Sequence, residues 1–331
     1  MIKASLIVPT YKRPEETAKC LGLVAQSKYL KERFDLEIVV IDSSPDKKTW
    51  DAIKKFESDF DLKYIYLKKQ TLPGKARNFG IKKAKNELII SIDSDIEVKE
   101  DTIWSMIQYL KNNPRVAKMT GTSIFSSGAK KGEIDRPTKW DRTYEKYDTL
   151  FIEGIYGRYE AFYKTPFLKI GGYDEIFGFC GEGTDISIRY WRAGFPLGFS
   201  KETTAYHNSE AAESLRRMIP DKMTQMYRSL FLVAYKYDVK DSEVSKNFVK
   251  SHEERQGAYG LETEFHALVS AAQSIDWLKE NYQRVKLSKS RAPREYDFKP
   301  FDVFTDIKLL ESCLGQSKNE IEPFYNRVFL K

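Results

Sequence analysis

Cysteine and histidine are scarce in this 331-residue chain, with three of each. Cys20, Cys180 and Cys313 are odd in number and lack any Cys-x-x-Cys spacing. That pattern suggests neither a disulfide framework nor a zinc site, and it fits a reducing cytoplasm. Long apolar runs are also missing. The longest, Leu230–Tyr235, falls far short of the roughly 20 residues needed to span a bilayer. No basic leader followed by an apolar core opens the chain, and residues 1–9 read as a first strand rather than a signal peptide. A long basic run is absent as well, so the net charge of +7 does not point to nucleic acid.

What is present is an ordinary globular balance, 41% hydrophobic and 31% charged, with 20 Tyr and 20 Phe. The most informative stretch is ELIISIDSDIE (87–97). Its unalternating apolar run fits a strand buried on both faces of a parallel sheet. Asp93 and Asp95 follow two apart, so both carboxylates can face one site where such sheets bind ligands. Two crowded carboxylates repel unless a cation sits between them, and Mg²⁺ or Mn²⁺ takes oxygen ligands of this kind. A lone Asp-x-Asp is more often the mark of a solvated turn, so the rest of the chain has to decide.

The rest of the first 125 residues alternates strand and helix signals. Strands are expected at 5–10, 36–42, 62–67, 88–93 and 116–124. Helices are expected from Arg13-Pro14 to about 30, from Pro45-Asp46, from Pro73-Gly74 to about 84, and near 100–112. This pattern predicts an α/β fold with a doubly wound, mostly parallel sheet. Right-handed crossovers gather the strand ends along one edge. Residues 126–160 read as an irregular, loop-rich insertion. From about 210 the pattern turns helical, at 210–237, 241–255 and 263–283. A basic loop at 284–300 and a last helix near 304–315 follow. The expected division is an α/β domain over 1–209, made of 1–125 and 126–209, and a helical region over 210–331.

Several blocks, in order, resemble glycosyltransferase family 2, inverting enzymes of the GT-A fold. They are IVPTYKRP (7–14), VVIDSSPD (39–46), LPGKARNFGIKKA (72–84), IDSD (92–95), GGYDEIFGFCGEGTDISIRYWRAGF (171–195) and His207. Together they cover about two thirds of the chain. The resemblance implies a nucleotide-diphosphate sugar donor, a UDP-sugar first, and a glycan or other hydroxyl acceptor. It implies that Pro9, Thr10 and Tyr11 line the nucleoside pocket, with Arg13 as a further donor contact. Asp42 would accept the imide N–H of uracil, although the same residue can serve as a helix cap. Arg77, at a helix N-terminus that favours anions, would meet the diphosphate. Lys75 beside it reads equally as a solvated helix start.

Within the Asp-x-Asp element, Asp93 would meet the ribose or metal-bound water, Ser94 would lie at the donor, and Asp95 would ligate Mn²⁺ or Mg²⁺. His207 stands where relatives supply another metal ligand. The chain departs from the family at the base. Where the family usually has Glu-Asp, this chain has Glu182-Gly183, with Asp185 three residues on. Glu182 is the preferred base and Asp185 the second candidate, since either can reach an acceptor hydroxyl. Asp185 can instead pair with Arg189 at i, i+4. Tyr156 and Arg158 fall in a segment that backs the donor sugar in the family. Trp140, Trp191 and Tyr206 suit sugar stacking or core packing. Two other functions stay open: a non-catalytic sugar-nucleotide-binding protein, and a sugar-nucleotide nucleotidyltransferase. The helical C-terminal region is a candidate surface for homo-oligomers or for peripheral contact with the inner membrane face.

Overall fold

The computed structural model describes residues 1–137, 142–178, 181–210, 222–239, 272–300 and 302–330. Its centre is one mixed sheet. Strands β1 (Ile2–Thr10), β2 (Phe34–Asp42), β3 (Asp61–Tyr66) and β4 (Leu88–Ile92) form a parallel block in the order β3-β2-β1-β4. Ile7, Val8, Val39, Val40, Ile89 and Ile90 have no exposed surface. This is why the strands carry continuous apolar runs. Helices α1 (Pro14–Ala25), α2 (Leu30–Arg33), α3 (Lys48–Ile53) and α4 (Pro73–Lys83) connect them. Proline opens both α1 and α4, where a missing N–H costs nothing.

Beyond β4 the pairing changes sense. Short β5 (Ile96–Val98) follows, then α5 (Thr102–Asn112) and β6 (Lys118–Phe125). Residues 126–160 depart from the expected irregular insertion. They contain β7 (Ile134–Arg136), β8 (Thr143–Lys146), β9 (Thr149–Ile152) and the start of β10 (Tyr159–Tyr163). The first three are three or four residues long, too short to show a hydrophobic period. β10 runs antiparallel between β4 and β6. Helices α6 (Lys164–Lys169) and α7 (Glu182–Arg192) lead to β11 (Leu197–His207), which is parallel to β6. The last residue of β11, His207, pairs with Ile96 of β5, so the chain returns beside the Asp93–Asp95 turn.

Helix α8 (Lys222–Tyr237) overlaps the first expected C-terminal helix. The helix expected at 241–255 lies outside the described residues, as do Trp140 and Cys180. The basic loop expected at 284–300 begins instead as helix α9 (Tyr282–Ser290). The final helix α10 runs over Ile307–Phe329, well beyond 315 and through Pro323. Leu310, Cys313, Leu314, Ser317 and Ile321 are buried along it at three- and four-residue spacing. The fully buried stripe ends at Ile321, and beyond Pro323 the partly buried Phe324, Tyr325, Val328 and Phe329 continue the packing against the core. Cys313 lies under the carbonyl of Trp191, and Val303 donates its backbone N–H to Glu153, so the C-terminal segment packs on the sheet domain. Trp191 is fully buried and donates to the Glu153 carbonyl, which assigns it to the core. Among the described residues, no helix is long and apolar enough to cross a membrane.

Candidate active site

The ends of β1, β2 and β4 meet along one edge, and four arginine- or histidine-bearing elements converge on them. Arg13, the N-cap residue of α1, points its guanidinium at Asp95 (2.7 Å). Arg77, in the first turns of α4, pairs with Asp93. His207 brings Nε2 to 3.6 Å from Asp95 Oδ2, and its Nδ1 lies 3.3 Å from Asp135 on β7. Arg158 reaches the same imidazole at 2.9 Å and Asp135 at 2.7 Å. Asp93, Asp95, His207 and Arg77 are therefore brought together. Ser94 is buried between the two aspartates.

The electrostatics follow from this packing. Burial alone would raise the Asp95 carboxyl, but His207 and Arg13 beside it hold it well below the usual range. Burial works against charge on His207, yet its bonds to Asp135 and Asp95 raise its pKa. Burial lowers that of Arg158 despite the neighbouring Asp135. Among the described residues, no group of three or more His, Cys, Asp or Glu side chains is arranged to hold a metal ion. The arginines occupy the carboxylates instead.

At the nucleoside end, Pro9 and Tyr11 are half-buried. The buried Thr10 hydroxyl lies 2.8 Å from that of Thr17. The structure corrects the reading of Asp42. That side chain is fully enclosed, with one oxygen accepting from the Ser44 N–H (2.8 Å) and the other from the Tyr64 hydroxyl (2.6 Å). An enclosed carboxylate does not meet a base directly; it holds Tyr64 in place. Tyr64 stacks on Tyr66 at 6.4 Å, and Trp50 lies 5.1 Å from Tyr64, forming an aromatic row at the sheet edge. The row had no sequence signal, because its members are spread over α3 and β3.

The two base candidates separate sharply. Asp185 is fully buried and accepts from Arg189 Nε and Nη2 at 2.8 and 2.6 Å. Lys236 Nζ lies 2.6 Å from its other oxygen, and the Tyr237 hydroxyl donates to it at 2.8 Å. Nothing remains for an acceptor, and the i, i+4 pairing reading of Asp185 is the one observed. Glu182 opens α7 and stands against the start of α4: a Cβ on Gly74 would lie 3.7 Å from Glu182 Cγ and 3.2 Å from Tyr173 Cβ. Burial raises its pKa above the ordinary value, while Arg77 opposes the shift and Asp93 adds to it. Arg77 in turn sits over the Tyr173 ring at 5.6 Å. The Tyr173 hydroxyl donates to buried Glu160, which pairs with buried Lys118.

The missing acid at position 183 has a steric cause. A Cβ there would lie 2.8 Å from the Tyr156 Cα and 3.3 Å from the Ile155 carbonyl. Backbone cannot yield as a flexible side chain can. Gly183→Asp is therefore expected to destabilise by at least the ~1–3 kcal/mol of an overpacked core, without raising turnover. Thermal unfolding and a transfer assay check both parts. Lys75 pairs with Glu175 at 3.3 Å, both largely exposed, and so adds little.

A mixed sheet closing on paired acidic residues, with helices on both faces, is the GT-A architecture. The sequence profile described as "Glycosyl transferase family 2" matches residues 5–171, just over half of the chain. The chain belongs to that family. The poly(ribitol-phosphate) beta-N-acetylglucosaminyltransferase TarS of Staphylococcus aureus is 32% identical over 104 residues, 31% of this chain and 18% of that protein. The match thus spans less than a fifth of that relative's length. In fold, the S. aureus TarS 1-349 crystal structure in complex with UDP-GlcNAc superposes with a TM-score of 0.60 at 14% identity, covering 96% of this chain and 92% of that one. The mannosyltransferase PcManGT of Pyrobaculum calidifontis, in complex with GDP-Man and Mn²⁺, gives 0.51 at 15% identity over 96% and 86%.

Proposed function

We propose that the protein transfers a sugar, with inversion, from a nucleotide-diphosphate donor to an acceptor hydroxyl, and that UDP-sugars are its donors. One observation carries this reading. A carboxylate with raised proton affinity, Glu182, stands beside an arginine and the paired aspartates at the carboxyl ends of a parallel sheet. The UDP-GlcNAc of the TarS complex supports the choice of donor.

Glu182 takes the proton from the acceptor oxygen as that oxygen forms its bond to the anomeric carbon, and the donor's phosphate oxygen departs from the opposite face. Arg77 faces the diphosphate. Arg13 and Arg158 add positive charge where negative charge develops, and such preorganised charge is commonly the largest catalytic contribution. Asp185 only anchors α7.

The donor set also suits a divalent ion. The Asp95 oxygen and His207 nitrogen, 3.6 Å apart, could serve one ion at bond lengths of about 2.1 Å once Arg13 and Arg158, which contact those same two atoms, turn aside. The Mn²⁺ in the PcManGT complex supports this choice. When bound, the ion would offset the charge of the departing diphosphate. Burial pushes the thiols of Cys20 and Cys313 each up to a pKa of about 12, which leaves both unreactive.

UDP release, followed over a panel of UDP-sugars with Mn²⁺ or with EDTA, tests the reading. Turnover that EDTA lowers at least a hundredfold is expected. Donor binding without turnover for every acceptor tried would favour a non-catalytic sugar-nucleotide-binding protein.

A further inference from the structure

Tyr173 has a second side. Between α4, the turn at 171–176 and α9 lies a cavity of about 360 Å³, within the range of small-ligand sites. Asn78, Tyr173, Arg189 and Lys236 form its inner wall. The inner charges are answered: Arg189 by Asp185, and Lys236 by Asp174 and Asp185. The rim is different. Lys82 from α4, Arg284 from α9 and Arg291 at the α9 C-cap are all exposed and line the same cavity. Among the described residues, no carboxylate pairs with any of them, and Arg284 donates to the neutral Asn281.

With Arg189 and Lys236 inside, these cations outnumber the two carboxylates that line the same cavity, Asp174 and Glu175, and an anion seated there offsets the excess positive charge. The guanidinium fork matches phosphate oxygens two at a time. The location matters too. On α4, Arg77 turns to the aspartates while Asn78 and Lys82 turn to the cavity. Asn78 is latched to Tyr173 by both amide atoms, donating to its carbonyl and accepting from its N–H, each at 2.8 Å. Tyr173 is thus a fixed partition with Glu182 just beyond the start of α4. The cavity and Glu182 thus lie on either side of Tyr173, which puts the cavity next to the acceptor side of the site.

We propose that this cavity holds a phosphate of a phosphodiester-linked acceptor chain, so that the acceptor is an anionic polymer rather than a neutral glycan. The proposal rests on the transferase reading above and deepens it. The test is calorimetric titration of the intact chain, with UDP saturating so that the donor site is filled. The probes are a synthetic glycerol phosphate hexamer and, as the uncharged counterpart, maltohexaose. The hexamer is expected to bind at least tenfold more tightly. Lys82→Gln/Arg284→Gln/Arg291→Gln should erase that preference while UDP affinity stays within twofold. The matched surface variant Lys3→Gln/Lys55→Gln/Lys318→Gln should keep it. Equal binding of the two probes, a preference that survives in the cavity variant, or the same loss in the surface variant would overturn the proposal. Failure to bind UDP would count against the donor reading alone. In that case the same titration without nucleotide still decides the cavity.

Discussion

Glu182→Gln is expected to lower sugar transfer by about 10²–10⁴-fold, the usual contribution of a positioned general base, while UDP affinity moves less than twofold. The substitution keeps the side chain's shape at the start of α7 and removes only its ability to take a proton. Among the described residues no side chain hydrogen-bonds that carboxylate, so the fold loses no partner. The pH dependence has a definite sign. A base works when deprotonated, and burial raises the Glu182 pKa. Transfer by the unaltered chain should therefore fall on acidification at a pH above that expected of an ordinary glutamate. This acid limb should vanish from the residual rate of the Gln variant. A variant that keeps more than half of the rate would remove Glu182 from the mechanism.

Asp185→Asn should do the opposite, costing stability before chemistry. The carboxylate is fully buried among Arg189, Lys236 and Tyr237, and neutralising it leaves two buried cations short of a counter-charge. Removing one partner of a buried pair typically costs about 3–5 kcal/mol. Asp174 still pairs with Lys236, so the lower end of that range is expected here. Denaturant unfolding checks the loss, and the folded fraction should retain most of its turnover. Equal stability with abolished turnover would reverse the roles assigned to Asp185 and Glu182.

These two acids show where sequence reasoning stops. Three residues apart on one helix, they look alike in the chain. What separates them is Lys236 and Tyr237, which arrive from α8 some fifty residues later. The strand-end aspartates were legible because burial on both faces leaves a long apolar run that ends abruptly at Asp93. The α4 start was legible because proline, glycine and arginine each carry a local meaning there. His207 was legible only as a family position; its contact with Asp95 depends on β11 returning beside β5. Asp135 had no signal at all, being a single acid on a three-residue strand. Asp42 was placed correctly at the end of β2, but its carboxylate was assigned to a ligand when Tyr64 and Ser44 already hold it. Sequence periodicity reports which face is buried, and it is silent about which distant side chain fills a hydrogen-bond position.

Donor binding depends on whether the acidic strand end holds the diphosphate. The most direct measurement is anomalous diffraction at the manganese edge from crystals soaked with UDP and Mn²⁺. The expected result is one peak in contact with Asp95 and His207, with the diphosphate beside Arg77 and the uracil near the Tyr64–Tyr66 row. A nucleotide bound elsewhere, or a strand end still closed by Arg13 and Arg77 with no metal peak at saturating ligand, would contradict it.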